Sequence, residues 1–257
     1  MPAGLSTPLL DFFRRGEVAR DVRMLAAQGA IAPRPLEQLG ILMVLTGDHD
    51  PEVKRTAEET LARLPSNLVA DFIARADVPI ELRDFFIRRG INPSDTPAPD
   101  VEEPLTDADA TGLVEGDEQR TQQTFQERLS TMTVPEKMKY AMKGTREMRA
   151  VLIRDPNRLV ACAVLSCPKV NEAEVESFAK MGNVSEDILR AIAMTRAWTK
   201  NYSVVLSLVK NSKTPVALSL NLMQRLTDAD VKKISTDRNV AEPLRLAARK
   251  RALEKLK

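Results

Sequence analysis

Along most of the chain, apolar residues recur three or four positions apart, the spacing that gathers them on one face of a helix. Val175, Phe178 and Ala179 form one such set, and Val204 with Leu208 another. No stretch alternates apolar and polar residues long enough to predict a strand. The predicted elements are helices of about 10–15 residues, separated by clear stops. Asp155 reads as an N-cap with Pro156 at the first helical position, and Asp50-Pro51 opens a helix in the same way. Asn171, Ser185 and Thr227 are further N-caps, and the acids of Ser185-Glu-Asp and Thr227-Asp-Ala-Asp fall in first turns, where the helix dipole favours negative charge.

The pattern repeats. Shifted by 56 residues, the second half of the chain matches itself without gaps: Val160-Ala161 falls on Val216-Ala217, and Asn171–Val175 on Thr227–Val231. Phe178 then meets Ile234, Asn183-Val184 meets Asn239-Val240, and Ile188 meets Leu244. Paired short helices at this period predict an all-α chain, an α-solenoid of HEAT-like helix pairs. A weaker repetition in the first half sets Asp11-Phe-Phe-Arg-Arg-Gly16 against Asp84-Phe-Phe-Ile-Arg-Arg-Gly90.

Charge divides the chain. Residues 90–122 hold four prolines and nine acids against one basic residue, for a net charge of −8. Such a segment predicts a disordered linker between an N-terminal block, 1–89, and a C-terminal block, 123–257. The first block carries −1, and the second carries 25 Lys/Arg against 14 Asp/Glu, +11. A linker so acidic could also fold back on the basic block.

Aromatics are few, so Leu, Val, Ile, Ala and Met must build the core, which suits helix-on-helix packing. Cys162 and Cys167 are too few for a disulfide framework and read as core residues in a reducing compartment. No run of eighteen apolar residues predicts a membrane span, and no signal-peptide pattern opens the chain, so the expected location is cytoplasmic.

The second half resembles a group of uncharacterised bacterial helical-repeat proteins. The likeness rests on Ile153–Val160, Arg196–Tyr202, Ser235–Val240 and Pro243–Arg249. It is similar to HEAT-like and leucine-rich-variant repeats, which implies a solenoid fold and no particular activity.

Catalytic chemistry finds little support. The single histidine, His49, sits in the turn Gly47–Pro51 and has no second His or Cys at ligand spacing. No phosphate-cradling or dinucleotide motif is present. Glu172, Glu174 and Glu176 read as solvated surface. No metal or cofactor is expected, and the chain reads as a non-enzyme.

Two clusters are candidate partner-binding residues. Arg196, Trp198, Lys200 and Tyr202 combine an indole, a phenol and two cations near a helix end. They read as a recognition patch, or as Trp198 packing between successive repeats, the favoured reading. Arg245, Arg249 and Lys250, with Arg251, Lys255 and Lys257, make a basic terminal helix. Its cations suit a helix C-terminus, and equally an acidic partner or nucleic acid. The expected function is a protein-interaction scaffold. The alternative is nucleic-acid binding by the basic block. An enzymatic reading would need an acid beside Trp198, and none lies in 190–209.

Overall fold

A computed structural model of the chain describes residues 7–31, 33–99, 103–106 and 128–254. The fold is all-helical, and no strand occurs among the described residues. In chain order the helices are α1 (Pro8–Arg14), α2 (Arg20–Ala27), α3 (Pro35–Leu45), α4 (Pro51–Arg63), α5 (Ser66–Ile73), α6 (Ile80–Arg88), α7 (Val134–Lys143) and α8 (Arg146–Leu152). They continue as α9 (Arg158–Ser166), α10 (Glu172–Lys180), α11 (Glu186–Met194), α12 (Arg196–Thr199), α13 (Tyr202–Lys210), α14 (Val216–Met223), α15 (Asp228–Ile234) and α16 (Glu242–Glu254). Most are shorter than the sequence pattern predicts.

The described residues form two compact units. One comprises those within Met1–Leu152 together with Leu159–Lys169; the other comprises Ile153–Arg158 and those within Val170–Lys257. The division therefore does not follow the acidic segment, and most of three helices from the basic half, α7 to α9, lies in the first unit.

The first unit is built around α3, whose residues are buried or half-buried on every side. Helices α1, α2, α4 and α6 pack on it, and α7 packs on α2. Leu9, Leu10, Val22, Leu39, Leu42, Leu45, Val53, Ile73 and Leu82 fill its core. Specific bonds draw α9 in from far along the chain. At its C-terminus the Leu165 carbonyl accepts from Arg34 Nη1 at 3.0 Å, and the Ser166 carbonyl from the Arg34 amide at 3.4 Å. These carbonyls have no partner within their helix, so the arginine satisfies groups that burial would otherwise leave unpaired. Beside them the Ser166 hydroxyl donates to Glu37 at 3.0 Å. Glu37 is buried, and desolvation raises its pKa above the ordinary carboxyl value, against hydrogen bonds from Thr7 and Ser166 and the Arg34 charge.

Two turns match their sequence signals closely. Gly16 and Gly90 end α1 and α6 with positive φ, 70° and 83°, and each closes a paired capping turn. In the first, Glu17 N donates to Phe12 O and Gly16 N to Phe13 O; in the second, Ile91 N donates to Phe86 O and Gly90 N to Ile87 O.

The described part of the acidic segment, 91–99 and 103–106, is held on the first unit. Ser94 N donates to Ala70 O at 3.2 Å, Ala98 N to Asp71 O at 2.8 Å, and Arg75 Nη1 to Pro99 O at 3.3 Å. Gln38 of α3 grips Leu105 and Thr106. Main-chain bonding at the end of α5 and inside α3 outweighs composition here. The rest of the expected linker, 100–102 and 107–122, lies outside the described residues, as do Lys255 and Lys257 of the basic terminus.

In the second unit α10 packs on α13, α13 on α14, and α15 and α14 on α16. Val175, Val184, Ile188, Leu189, Ile192, Val204 and Leu208 are fully buried. Several pairs of the 56-residue correspondence have matching environments, but Val160 and Ala161 are buried where Val216 is half-buried and Ala217 exposed. Asn171 and Thr227 are the N-caps of α10 and α15, accepting from Glu174 N at 3.0 Å and Asp230 N at 3.4 Å. Phe178 and Ile234, Val184 and Val240, and Ile188 and Leu244 are buried in matching places.

Two local expectations are corrected. Asp155 does not cap a helix beginning at Pro156. Its carboxylate accepts from Asn157 N at 2.8 Å, and that short turn delays α9 to Arg158. At Asp50-Pro51 the cap forms, with Asp50 accepting from Glu52 N and Val53 N. Glu174 is buried in the first turn of α10 instead of solvated, in the region where a helix terminus favours a carboxylate.

Candidate interaction surface

The short helix α12 and its flanks bring four of the seven candidate residues together. Its single turn divides them by direction. Trp198 is buried at 9% exposure, while Arg196 and Lys200 are exposed. A residue four positions on returns to the same helical face, so the two cations stand together and the indole turns inward. Met194, just ahead of them, is 73% exposed. The turn is closed from outside: Arg225 Nη2 donates to Thr199 O, the last carbonyl of α12, at 2.5 Å.

Tyr202, 39% exposed at the start of α13, has a bonded tip. Its hydroxyl accepts from Thr227 N at 3.2 Å and donates to the Asp230 carboxylate. It therefore acts as an added cap for α15. The same hydroxyl, as the leading cause, lowers the pKa of Asp230, and Lys233 and Thr227 contribute further. Asn201 caps α13 by accepting from Ser203 N at 2.9 Å, and its amide donates to Glu172 at 2.7 Å. The exposed side chains at and around α12 thus include Met194, Arg196 and Lys200, with Tyr202 partly exposed.

The basic helix α16 contains the other three candidates. Arg249 Nε donates to Ser235 O at 3.0 Å, at the end of α15. Its neighbour Arg251 donates to Met223 O at 2.6 Å and Leu226 O at 3.0 Å, at and beyond the end of α14, and lies 3.3 Å from Asp228. Arg245 is half-buried, and Lys250 is exposed. The row of cations that the sequence presents as one stripe is therefore divided, and Arg249 and Arg251 close neighbouring helices.

His49 lies in an exposed turn. Its Nε2 is 3.2 Å from Arg23 Nη2, and Arg23 Nε is 2.9 Å from the Asp48 carboxylate. Both cysteines are buried and unbridged. Among the described residues, no group of three His, Cys, Asp or Glu side chains is placed to hold a metal ion, and no helix is long and apolar enough to cross a membrane.

Sequence reasoning missed Asn211 and Gln38. Asn211 accepts from Lys213 N at 3.0 Å and donates to Ala179 O and Met181 O at 2.8 and 3.0 Å, closing the end of α10. Its signal was present, since it stands 56 residues after Asp155 and makes the same kind of turn. Gln38 is one of two adjacent polar residues inside an otherwise apolar helix, a pattern that calls for buried partners.

No protein-family model matches the chain, no curated protein matches it, and no solved structure matches it.

Proposed function

We propose that this chain is a non-catalytic protein-interaction scaffold. It would be an α-solenoid of HEAT-like helix pairs working in the cytoplasm, with Met194, Arg196, Lys200 and Tyr202 meeting a protein partner. The observation that carries the reading is the α12 turn, which buries its tryptophan while Met194, Arg196, Lys200 and Tyr202, within nine residues of one another, are exposed. Cations beside apolar and aromatic area suit an interface with an acidic, partly apolar partner. The 56-residue correspondence of caps and core positions supports the repeat reading, as does the resemblance to bacterial HEAT-like proteins.

The second reading is nucleic-acid binding, favoured by the +11 charge of 123–257. Against it, Arg149, Arg225, Arg249 and Arg251 are turned toward helix-end carbonyls, which leaves fewer cations to follow a phosphate backbone. A salt series of the full chain with labelled double-stranded DNA, single-stranded DNA and RNA separates the two. The scaffold reading predicts no complex tighter than about 10 µM at roughly 150 mM salt. Tighter binding that weakens steeply with salt would establish the nucleic-acid reading instead.

A further inference from the structure

We infer that α6 and α16 are the two halves of one interface, through which a copy of this chain binds another copy. The occupant of the α16 face is α6 of a second copy. The inference adds self-association to the scaffold reading and rests on different helices.

Both helices expose a pair of large apolar residues seven positions apart. These are Ile80 and Ile87 on α6 and Leu246 and Leu253 on α16, each between 39% and 65% exposed. Four positions after the first of each pair stands an exposed charge, Asp84 in α6 and Lys250 in α16. Residues spaced by four and seven share one face of a helix. Each helix therefore presents apolar, charged and apolar side chains in that order over two turns. A lone exposed leucine needs no explanation, but two such faces with the same spacing and opposite charge do.

The inward sides of the two helices correspond as well. Leu82 and Ala248, two positions after the first apolar residue, are fully buried where α6 packs on α3 and α16 packs on α14 and α15. Arg83 and Arg249, one position further on, both turn to the chain's own carbonyls. Arg83 donates to Ile73 O at 3.0 Å and to Arg75 O at 2.9 Å, and Arg249 donates to Ser235 O at 3.0 Å. With those guanidinium groups engaged, the charge between the apolar pairs is set by Asp84 on one helix and Lys250 on the other. Just past the second apolar residue, where α6 carries the exposed Arg88, the sequence of α16 has Glu254.

Laid side by side in the same direction, the helices match in register. Ile80 meets Leu246, Asp84 meets Lys250, and Ile87 meets Leu253. The four apolar side chains then leave water together, and unlike charges meet between them. Pairing α6 with α6, or α16 with α16, in that register would set like charges against each other, so the unlike faces pair. Such a contact leaves one face unused at each end of a dimer, and association continues beyond two copies.

The test is sedimentation velocity of the full chain across roughly 10 µM to 1 mM, the weak end of the affinity scale. Its mean mass should rise with concentration past that of a dimer. Ile80→Lys with Ile87→Lys closes one face, and Leu246→Lys with Leu253→Lys closes the other. All four sites are exposed, so circular dichroism and the urea midpoint should stay close to wild type. Each of these variants alone should be monomeric, and their equimolar mixture should form a heterodimer and nothing larger. Asp84→Lys should weaken association roughly fivefold, and adding Lys250→Asp in the same chain should restore it.

A wild type that stays monomeric throughout, a mixture that sediments as two monomers, or an Asp84→Lys defect that Lys250→Asp does not rescue would overturn the inference. Arg196→Glu with Lys200→Glu, which disables the proposed α12 surface, should leave self-association unchanged, so failure of one reading is distinguishable from failure of the other. Loss of association in that variant would assign the contact to α12 and overturn the pairing of α6 with α16.

Discussion

Arginine explains much of how this chain closes its helices. Arg34, Arg83, Arg149, Arg225, Arg249 and Arg251 each donate to carbonyls at or just beyond a helix C-terminus. A planar fork of donors suits those carbonyls, and positive charge suits that end of the dipole. The net charge read from the sequence therefore includes cations already engaged by the chain's own carbonyls. Trp198 follows the same inward logic, and Trp198→Ala should cost about 3–5 kcal/mol in urea unfolding; a loss below about 1 kcal/mol would place the indole at the surface. Glu37 carries a pH signature. Its pKa is raised from 4.5 on folding, so the folded chain holds a proton that the unfolded chain releases above that value. Stability from this group is present in full below pH 4.5 and declines as pH rises toward the raised value. Asp50, Asp77 and Asp230, whose pKa values are lowered, act in the opposite sense. The comparison with Glu37→Gln isolates the effect: from about pH 4.5 upward the wild type should lose stability relative to the variant in denaturant midpoints. Parallel curves would show that the side chain is ionised in the fold.

At the scale of helices, caps were the most legible feature. Asn171, Thr227, Asn201 and Asp50 all accept from the backbone amides that open their helices. Ser185 stands at the N-cap position of α11 with no side-chain bond. Asn183 and Asn239 adopt no left-handed conformation, because positive φ among the described residues is confined to glycines. The Asp237-Arg-Asn239 turn is instead made by the Asp237 carboxylate accepting from Asn239 N at 2.9 Å. What the sequence did not reveal was the reach of such side chains across the fold. A turn residue shows its local bonds by spacing alone, but Asn211 also bonds carbonyls some thirty residues earlier, and only packing brings those within range. Asn211→Ala should therefore cost about 1–3 kcal/mol, more than the loss of a simple turn residue, measured by thermal or urea unfolding. An effect within about 0.5 kcal/mol would show that the bridge contributes nothing net.

For the whole molecule, helical content was readable because periodicity is a local property of the chain. Organisation was not, since it depends on contacts between distant residues such as Arg34 with Leu165 and Glu37 with Ser166. Those bonds place most of α9 in the first unit and cut across the boundary that charge suggested. Composition misjudged the acidic segment for the same reason: residues 91–99 and 103–106 carry few apolar groups but supply backbone donors and acceptors that α3, α5 and Arg75 take up. The candidate site was half legible. Of its residues, Arg196 and Lys200 are exposed and Tyr202 partly so, whereas the tryptophan is buried.

The most direct test of the scaffold account is a capture measurement with the full chain immobilised in extract from the cells that make it, with and without nuclease, beside the Arg196→Glu/Lys200→Glu variant. The account predicts a defined protein retained in stoichiometric amount, unaffected by nuclease and lost with the double charge reversal. Retention that disappears on nuclease treatment, or that persists unchanged in the variant, would contradict it.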